Sequence, residues 1–580
     1  MSGPEGSEEL TQQPQKVAIG LSFGNSYSSI SYTTGDGKAE VIANEEGDRQ
    51  IPSILSYVAG EEFQGTQAKA QIVRNPRNTI AYFRDFLGKP FAQIDPTPCH
   101  ASAHPEEKGN TVAFTVQEHA IPEEGEEPAK STLTISEVTT RHLRKLKQSA
   151  TDFLGQDVNA AVMTVPTDCT DAHKAALTEA AANAGIEVLH YISEPVSALL
   201  AHDAKIQHAS EGSYVPKDRI FLVADIGGTR TDISIIANRA GIYTTLASVH
   251  DYELGGASLD KVLVEYAAKE FLKKHKNASD PRTDERALSK LTLEAEAVKK
   301  ALSIGATANF TIESLVDGID FTLSVNRTRF ELLANKVFMS LNRLVETAVQ
   351  KADMDLLDID TILLSGGSSH IPKIASNMQA HFPETTEVVA PSTLASAVNP
   401  SELTARGAAV QAQLISVFER SDIEENTEAV VTLTPHLTKA VGLVTGKDAF
   451  SVVIDAETPV PVRRTAHITV KDGGDVLLRL AEGIKEIKVT KEEATNGKAE
   501  DDSDDDSDDE PEEIREKVWK VGNVIAEAGL RGVKKSGKVE VQINVAADLS
   551  VTLVAREVGG KGGIRGTIGA GAAGQNGIAA

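Results

Sequence analysis

The stretches Ser22-Phe-Gly-Asn-Ser-Tyr-Ser-Ser-Ile-Ser31 and Asp225-Ile-Gly-Gly-Thr-Arg-Thr-Asp-Ile-Ser234 read almost alike, each joining a short apolar run to an alternating one through a turn of Gly, Ser and Thr. Such a turn suits phosphate: glycine lets backbone N–H groups close on anionic oxygens with no Cβ in the way, and hydroxyls add donors. The copies differ at their first residue. Asp225 is the type of side chain that holds a hydrated Mg2+, whereas the first copy opens on Ser22. Further glycine turns at Gly255-Gly256 and at Ser365-Gly-Gly-Ser-Ser369, the latter after the apolar Ile362-Leu-Leu364, are places where backbone can approach a ligand closely. Gly20-Leu-Ser-Phe-Gly24 also spells the G-x-S-x-G of a hydrolase nucleophile elbow. That elbow needs a helix after its serine, and here Ser28-Ser-Ile-Ser-Tyr32 continues as a strand, so the context rejects Ser22 as a nucleophile.

The elements that must carry these turns follow from periodicity. Alternation in Val17-Ala-Ile-Gly-Leu-Ser-Phe23 predicts a strand, as does Ala160-Ala-Val-Met-Thr-Val-Pro166, and helical spacing recurs at Ser136 to Leu154, Ala172 to Ala184, 285–303 and 329–352. Strands and helices alternate from 17 to 416, the pattern of an α/β fold, and the duplicated turn makes that region bilobal, with one phosphate loop on either side of a cleft. Residues 1–16 read as a disordered lead, 105–131 as a surface insertion and 417–428 as a linker. From 429 to 556 the chain is strand-like, as in Phe450-Ser-Val-Val-Ile454 and Val539-Glu-Val-Gln-Ile-Asn-Val545. An acidic insertion at about 491–513 interrupts it; from Glu500 to Glu513 only two serines and a proline are not acidic. A solvated loop is favoured there over a charged docking arm. Residues 557–580 read as a disordered Gly/Ala-rich tail.

Composition narrows the function. A net charge of -26 argues against a general nucleic-acid surface, because neutralising phosphates needs an excess of clustered Lys and Arg. The cysteines, Cys99 and Cys169, are too few for a disulfide framework, which suits a reducing compartment, and the histidines show no metal spacing. The polar, acidic start lacks the parts of a signal peptide, and no apolar run reaches membrane-spanning length. The expectation is a cytoplasmic protein with neither a membrane nor a direct nucleic-acid partner.

Longer strings then run in order: Glu40-Val-Ile-Ala-Asn-Glu-Glu-Gly-Asp-Arg49, Val165-Pro166, Ser193-Glu-Pro195, Asp225-Ile-Gly-Gly228, Leu254-Gly-Gly256, Asp317-Gly-Ile-Asp-Phe321 and Gly366-Gly-Ser-Ser-His-Ile-Pro372. With them the chain resembles the seventy-kilodalton heat-shock chaperone family from about 17 to 556. The resemblance implies a bilobal actin-like ATPase domain followed by a β-sandwich that, in typical members, binds extended peptides under a helical lid. It implies ATP as cofactor, with Mg2+ held indirectly, through water, by Asp225. Carried over position by position, Gly24, Asn25, Ser26, Tyr27, Arg84, Glu194, Asp225, Gly227, Gly228, Thr229, Arg230 and Asp232 fall on the phosphate side, with Gly255 and Gly256 beside them. Glu296, Lys299, Lys300 and Ser303 fall on the adenosine helix, and Gly366, Gly367, Ser368 and His370 on the second adenosine loop. Lys300 and His370 stand where the family usually has arginine.

Departures concentrate on the hydrolytic side. The family's first-loop carboxylate is Ser22, its lysine near the γ-phosphate is Arg84, its second-loop threonine is displaced by Arg230, and a late acid is Ser401. Arginine is bulkier and planar and does not give up a proton. Because phosphoryl transfer is catalysed chiefly by positioning and electrostatics, the expectation is ATP held with little or no hydrolysis and no catalytic residue; the competing reading makes Arg230 a cis arginine finger that preserves turnover. The apolar interdomain linker is absent, Glu428-Ala-Val-Val-Thr-Leu433 being a partial substitute, and no helical lid is read after Arg556. These departures resemble an atypical fungal branch of the family that pairs with the J-domain protein zuotin in a ribosome-associated complex. That resemblance implies a co-chaperone in a stable heterodimer with a zuotin-like J-domain protein, reaching the ribosome through that partner and meeting nascent polypeptide. The alternatives are an active ATP-dependent peptide-binding chaperone and a nucleotide exchange factor.

Overall fold

The computed structural model describes residues 17–119, 129–209, 218–239, 241–416, 418, 421–423, 435–446, 449–491, 513–560 and 562–569. The chain forms two compact units. The first takes Met1–Pro216, Ile220–Ile236 and Thr245–Glu425, and the second Asn426–Ala580 with Lys217–Arg219 and Ala237–Thr244. The division at 425 falls inside the expected linker, most of which lies outside the described residues.

Two sheets of the first unit repeat one topology. In one, β1 (Ala18–Phe23), β2 (Tyr27–Thr33), β3 (Ala39–Ile42), β4 (Ala160–Val165) and β5 (Glu187–Ser193) lie in the order β5-β4-β1-β2-β3. In the other, β6 (Arg219–Ile226), β7 (Thr231–Arg239), β8 (Ile242–Asp251), β9 (Thr361–Ser365) and β10 (Glu387–Val389) lie in the order β10-β9-β6-β7-β8. Each sheet therefore places a strand–turn–strand at its centre and adds two later strands beyond it. Those later strands are parallel, β1 with β4 and β4 with β5, then β6 with β9 and β9 with β10. Parallel pairing demands long crossovers, and helices supply them.

One crossover helix, α1 (Ile135–Leu154), starts at a capping box in which the Thr134 side chain and Glu137 satisfy each other's backbone N–H groups, and it stops at Gly155 with φ of 65°. Its Val138, Leu143 and Leu146 face Leu21, Phe23 and Ile30 of the sheet in one buried cluster. Every residue of β4 is buried, the near-continuous apolar reading of a strand covered on both faces. Further helices frame the cleft: α2 (Glu194–Ala209), α3 (Gly256–Lys274), α4 (Glu285–Ile304) and α5 (Leu403–Ile415).

Some expectations are corrected. The stretch 105–131 is not wholly a surface insertion, since Glu106–Lys108, Thr111–Val116 and Ser131–Thr134 form a three-stranded sheet with Val112, Ala113, Phe114 and Val116 buried. Flanking Glu, Pro and Gly masked that short apolar run. The helix read over 329–352 is two, Arg327–Leu333 and Asn335–Lys351, parted at Ala334.

The second unit is antiparallel. Its strands are β11 (Val441–Thr445), β12 (Ala449–Ile454), β13 (Val462–Val470), β14 (Gly474–Lys491), β15 (Glu513–Val533), β16 (Gly537–Val545), β17 (Val551–Glu557) and β18 (Gly563–Ile568). They form two four-stranded sheets, β12-β11-β14-β15 and β13-β16-β17-β18. Alternate residues Val539, Val541, Ile543 and Val545 of one sheet share a core with Leu443, Leu478 and Leu480 of the other, as a period of two requires. Lys534 and Lys535 sit at the turn between β15 and β16. The tail expected to be disordered from 557 instead contributes β18, whose register runs from Val551↔Ile568 to Arg556↔Gly563. Glycines dilute its alternation, and a neighbouring strand provides the pairing that periodicity alone does not reveal. Residues 492–512, with nearly all of the acidic block, lie outside the described residues. Among the described residues no helix follows β17, and none anywhere is long and apolar enough to cross a membrane.

Candidate functional site

The β1–β2 and β6–β7 turns are built alike. Gly24 N–H donates to Tyr27 O at 3.1 Å, and at the equivalent place Gly227 N–H donates to Arg230 O at 2.9 Å. The turns also face each other: Asn25 Nδ2 donates to Thr229 Oγ1 at 3.1 Å, and a Cβ on Gly228 would lie 2.3 Å from Ser26 Oγ. Both line a cavity of about 670 Å³. Every residue that the sequence assigned to a ligand lines this cavity except Gly255, which is the N-cap of α3 next to the lining Gly256. Gly366 needs its glycine twice over, with φ of 82° and a Cβ position 2.6 Å from Asp225 Oδ1.

On one wall of the cavity, where the resemblance expects adenosine, α4 presents Glu296, Lys299, Lys300 and Ser303 along one face, as spacings of three, four and seven dictate. Lys299 Nζ donates to Asp260 Oδ2 at 2.8 Å and to Gly256 O at 3.0 Å. Glu296 accepts from the Tyr27 hydroxyl, from Lys69 Nζ at 2.6 Å and from Lys300 Nζ at 2.8 Å. Burial opposes its ionisation, yet the two ammonium groups outweigh burial and hold the Glu296 carboxyl well below the usual range. His370 Nε2 lies 3.0 Å from Asn399 Oδ1 and 3.2 Å from Ser401 Oγ, so two of the departures meet each other.

On the wall where the resemblance expects phosphate, Asp225 near the carboxyl end of β6, Glu194 just after β5 and Asp232 at the start of β7 face one another, and the carboxyl ends of parallel strands are where open α/β sheets bind ligands. Burial first, then the charges of Glu194 and Asp232, push the Asp225 carboxyl far above its usual range, while Arg230 and Arg84 pull the other way. Arg84 is 5% exposed; its Nη1 donates to Glu194 Oε1 at 3.1 Å and its Nε to Asp85 Oδ1 at 2.9 Å. Arg230 donates from Nε to Asp232 Oδ2 at 2.7 Å and from Nη2 to Asp168 Oδ1 at 3.0 Å. Ser22 Oγ accepts from Thr404 Oγ1 at 3.1 Å, and it is strand β2, not a helix, that follows the Ser22 turn.

The donor set fits a hydrated divalent cation and its phosphates. Three oxygen-bearing carboxylates repel one another in a buried wall, which a cation relieves, and the buried Asn25 Oδ1 in the first turn has no partner. Asp168, Asp232 and His250 also place ligand atoms within 4.8 Å of one another, a histidine-containing grouping that sequence spacing did not reveal. Both of its carboxylates already accept from Arg230, so it forms an ion-pair network. Lys69, Asp168, Tyr252 and Asp260 were missed by the sequence reading. They belong to no glycine turn, and only through-space contact identifies them.

A family profile described as Hsp70 protein matches residues 18–497. The chain is 41% identical over 547 residues to the ribosome-associated complex subunit SSZ1 of Saccharomyces cerevisiae, covering 93% of this chain and 97% of that protein. It is 42% identical over 550 residues to a heat shock protein 70 homolog of Schizosaccharomyces pombe, covering 94% of each. Over 450 residues it is 31% identical to heat shock 70 kDa protein 14 of Danio rerio, covering 77% of this chain and 84% of the other. The mixed sheets of the first unit accord with an actin-like ATPase fold. Matched from its first strand into its second unit, the chain belongs to the Hsp70 family.

Proposed function

We propose that this cleft holds ATP and hydrolyses it slowly or not at all, and that the chain acts as a nucleotide-bound co-chaperone scaffold. The observation that carries the reading is the commitment of Arg84 and Arg230 to protein carboxylates. A guanidinium that must first leave Asp85 and Glu194, or Asp232 and Asp168, is not preorganised for charge developing on a transferred phosphoryl group. Ser22 and Ser401 add no charge where the family places acids. The same bonds weigh against Arg230 as an arginine finger.

The turns at 24–27 and 227–230 would cradle the phosphates, and the α4 face with Gly366, Gly367, Ser368 and His370 would take the adenosine. Asp225 would keep Mg2+ through water, with Glu194 and Asp232 nearby; the ion, when bound, neutralises phosphate charge. The second unit is read as a β-sandwich, supported by two sheets sharing a core. It would serve as a docking platform that also meets nascent chains. The relative that is a ribosome-associated complex subunit supports a stable heterodimer with a J-domain protein resembling zuotin, placed at cytoplasmic ribosomes through that partner. Single-turnover assays of the full chain are expected to leave bound ATP intact over times in which an ordinary family member cleaves it. Purification at native abundance is expected to yield a J-domain partner and intact ATP. Turnover at an ordinary family rate, or a free monomer carrying ADP, would refute the reading.

A further inference from the structure

Asp168 lies just beyond β4, in the lobe of the first sheet, whereas Arg230 and Tyr252 lie at the β6–β7 turn and just beyond β8, in the lobe of the second. Their side chains meet across the cleft. Arg230 Nη2 donates to Asp168 Oδ1 at 3.0 Å, the Tyr252 hydroxyl donates to Asp168 Oδ2, and the Arg230 guanidinium stacks 4.6 Å from the Tyr252 ring centroid. Asp232 fixes the other edge of Arg230 through Nε at 2.7 Å, and His250 packs edge-on against Tyr252 at 5.1 Å. A charge-assisted bond and a hydroxyl bond to Asp168 thus join two elements that share no sheet, while the stack of Arg230 on Tyr252 holds the two donors together on one side. Both bonds to Asp168 must break if the lobes part there. Burial disfavours the Asp168 carboxylate, but Tyr252 and Arg230 reverse that and lower its pKa to about 2, so it is charged under all ordinary conditions.

We propose that Asp168 clasps Arg230 and Tyr252 across the cleft and thereby gates the entry and exit of the nucleotide, prolonging its residence. This rests on the reading of the cleft as an ATP site. Asp168 does not line the cavity, so it is a positioning residue that acts on the opening of the lobes. A clasp present with and without ligand slows entry and exit together, because both pass through the open state. A residue that touches the ligand alters release and affinity in step.

The test uses the full chain and a fluorescent ATP analogue in stopped flow, with Asp168→Ala, Asp168→Glu as the conservative rescue, and Tyr252→Phe. Asp168→Ala is expected to speed association and release each by at least about tenfold, with affinity nearly unchanged, as loss of its bonds to both Arg230 and Tyr252 implies. Asp168→Glu is expected to recover much of the slowness, and Tyr252→Phe to have a smaller effect than alanine. Hydrogen exchange at the 227–230 turn without nucleotide reads the clasp independently and is expected to quicken in Asp168→Ala. Unchanged exchange overturns the clasp, and unchanged rates, or faster release with affinity lost in proportion, overturn its gating role. A wild-type chain that takes up no nucleotide refutes the ATP site and the gating claim together, while exchange still reports whether the two lobes are joined.

Discussion

Arg84 is bonded to Asp85 and Glu194, and Arg230 to Asp232 and Asp168, so both guanidinium charges are balanced by carboxylates within the cavity wall. Residues that act as a unit in catalysis restore little when changed singly. Ser22→Asp combined with Arg84→Lys and Arg230→Thr is therefore expected to raise single-turnover ATP hydrolysis by at least about tenfold, equivalent to about 1.4 kcal/mol of transition-state stabilisation, with each single change giving less. Quenched-flow measurement of ADP formation checks this. The residue types at 22, 84, 230 and 401 were legible in the sequence as departures. What Arg84 and Arg230 bond to was not, because Asp168 stands apart from every glycine turn and its meeting with Arg230 exists only once two separate sheets are placed.

At the scale of elements, α1 carries a consequence that its pattern did not announce. Its inward face delivers His142, wholly buried, with Nε2 3.0 Å from Ser28 Oγ and its ring between Phe23 and Phe83. Burial lowers its pKa from 6.5 to about 3. Between those values the unfolded chain binds a proton that the folded chain refuses, so the stability present above about pH 6.5 is lost as pH falls, by up to about 1.4 kcal/mol per unit. His173, lowered to about 4 chiefly by burial, acts in the same sense. Urea midpoints measured from about pH 7 to about pH 5 are expected to fall, and His142→Gln to flatten that slope. The span of α1 was nearly legible, 136–154 against Ile135–Leu154, because an amphipathic stripe and a capping box are local signals. The strand β18 was not, since Gly563-Ile-Arg-Gly-Thr-Ile568 gains its order from pairing with β17.

For the whole molecule, each of the two units has a core of its own, and the cleft belongs to the first. If ATP occupies the cleft at a hundred times its Kd, it adds about 2.7 kcal/mol to that unit. Stripping the nucleotide is expected to lower the calorimetric transition of that unit; identical traces with and without ATP would contradict it. The sequence alone carried the alternating α/β order, the strand-rich second part and the duplicated turns, because periodicity and glycine chemistry are properties of neighbours along the chain. It also marked Ser22, Arg84, Arg230 and Ser401 as changes of type. Packing of the sheets was needed to show that both guanidinium groups are held by carboxylates, that Lys69 and Tyr27 reach Glu296, and that Asp168 bonds Arg230 and Tyr252. Apart from Arg84–Asp85 and Arg230–Asp232, those bonds join residues remote in sequence, and a short-range code carries no information about partners that meet only when the sheets are packed.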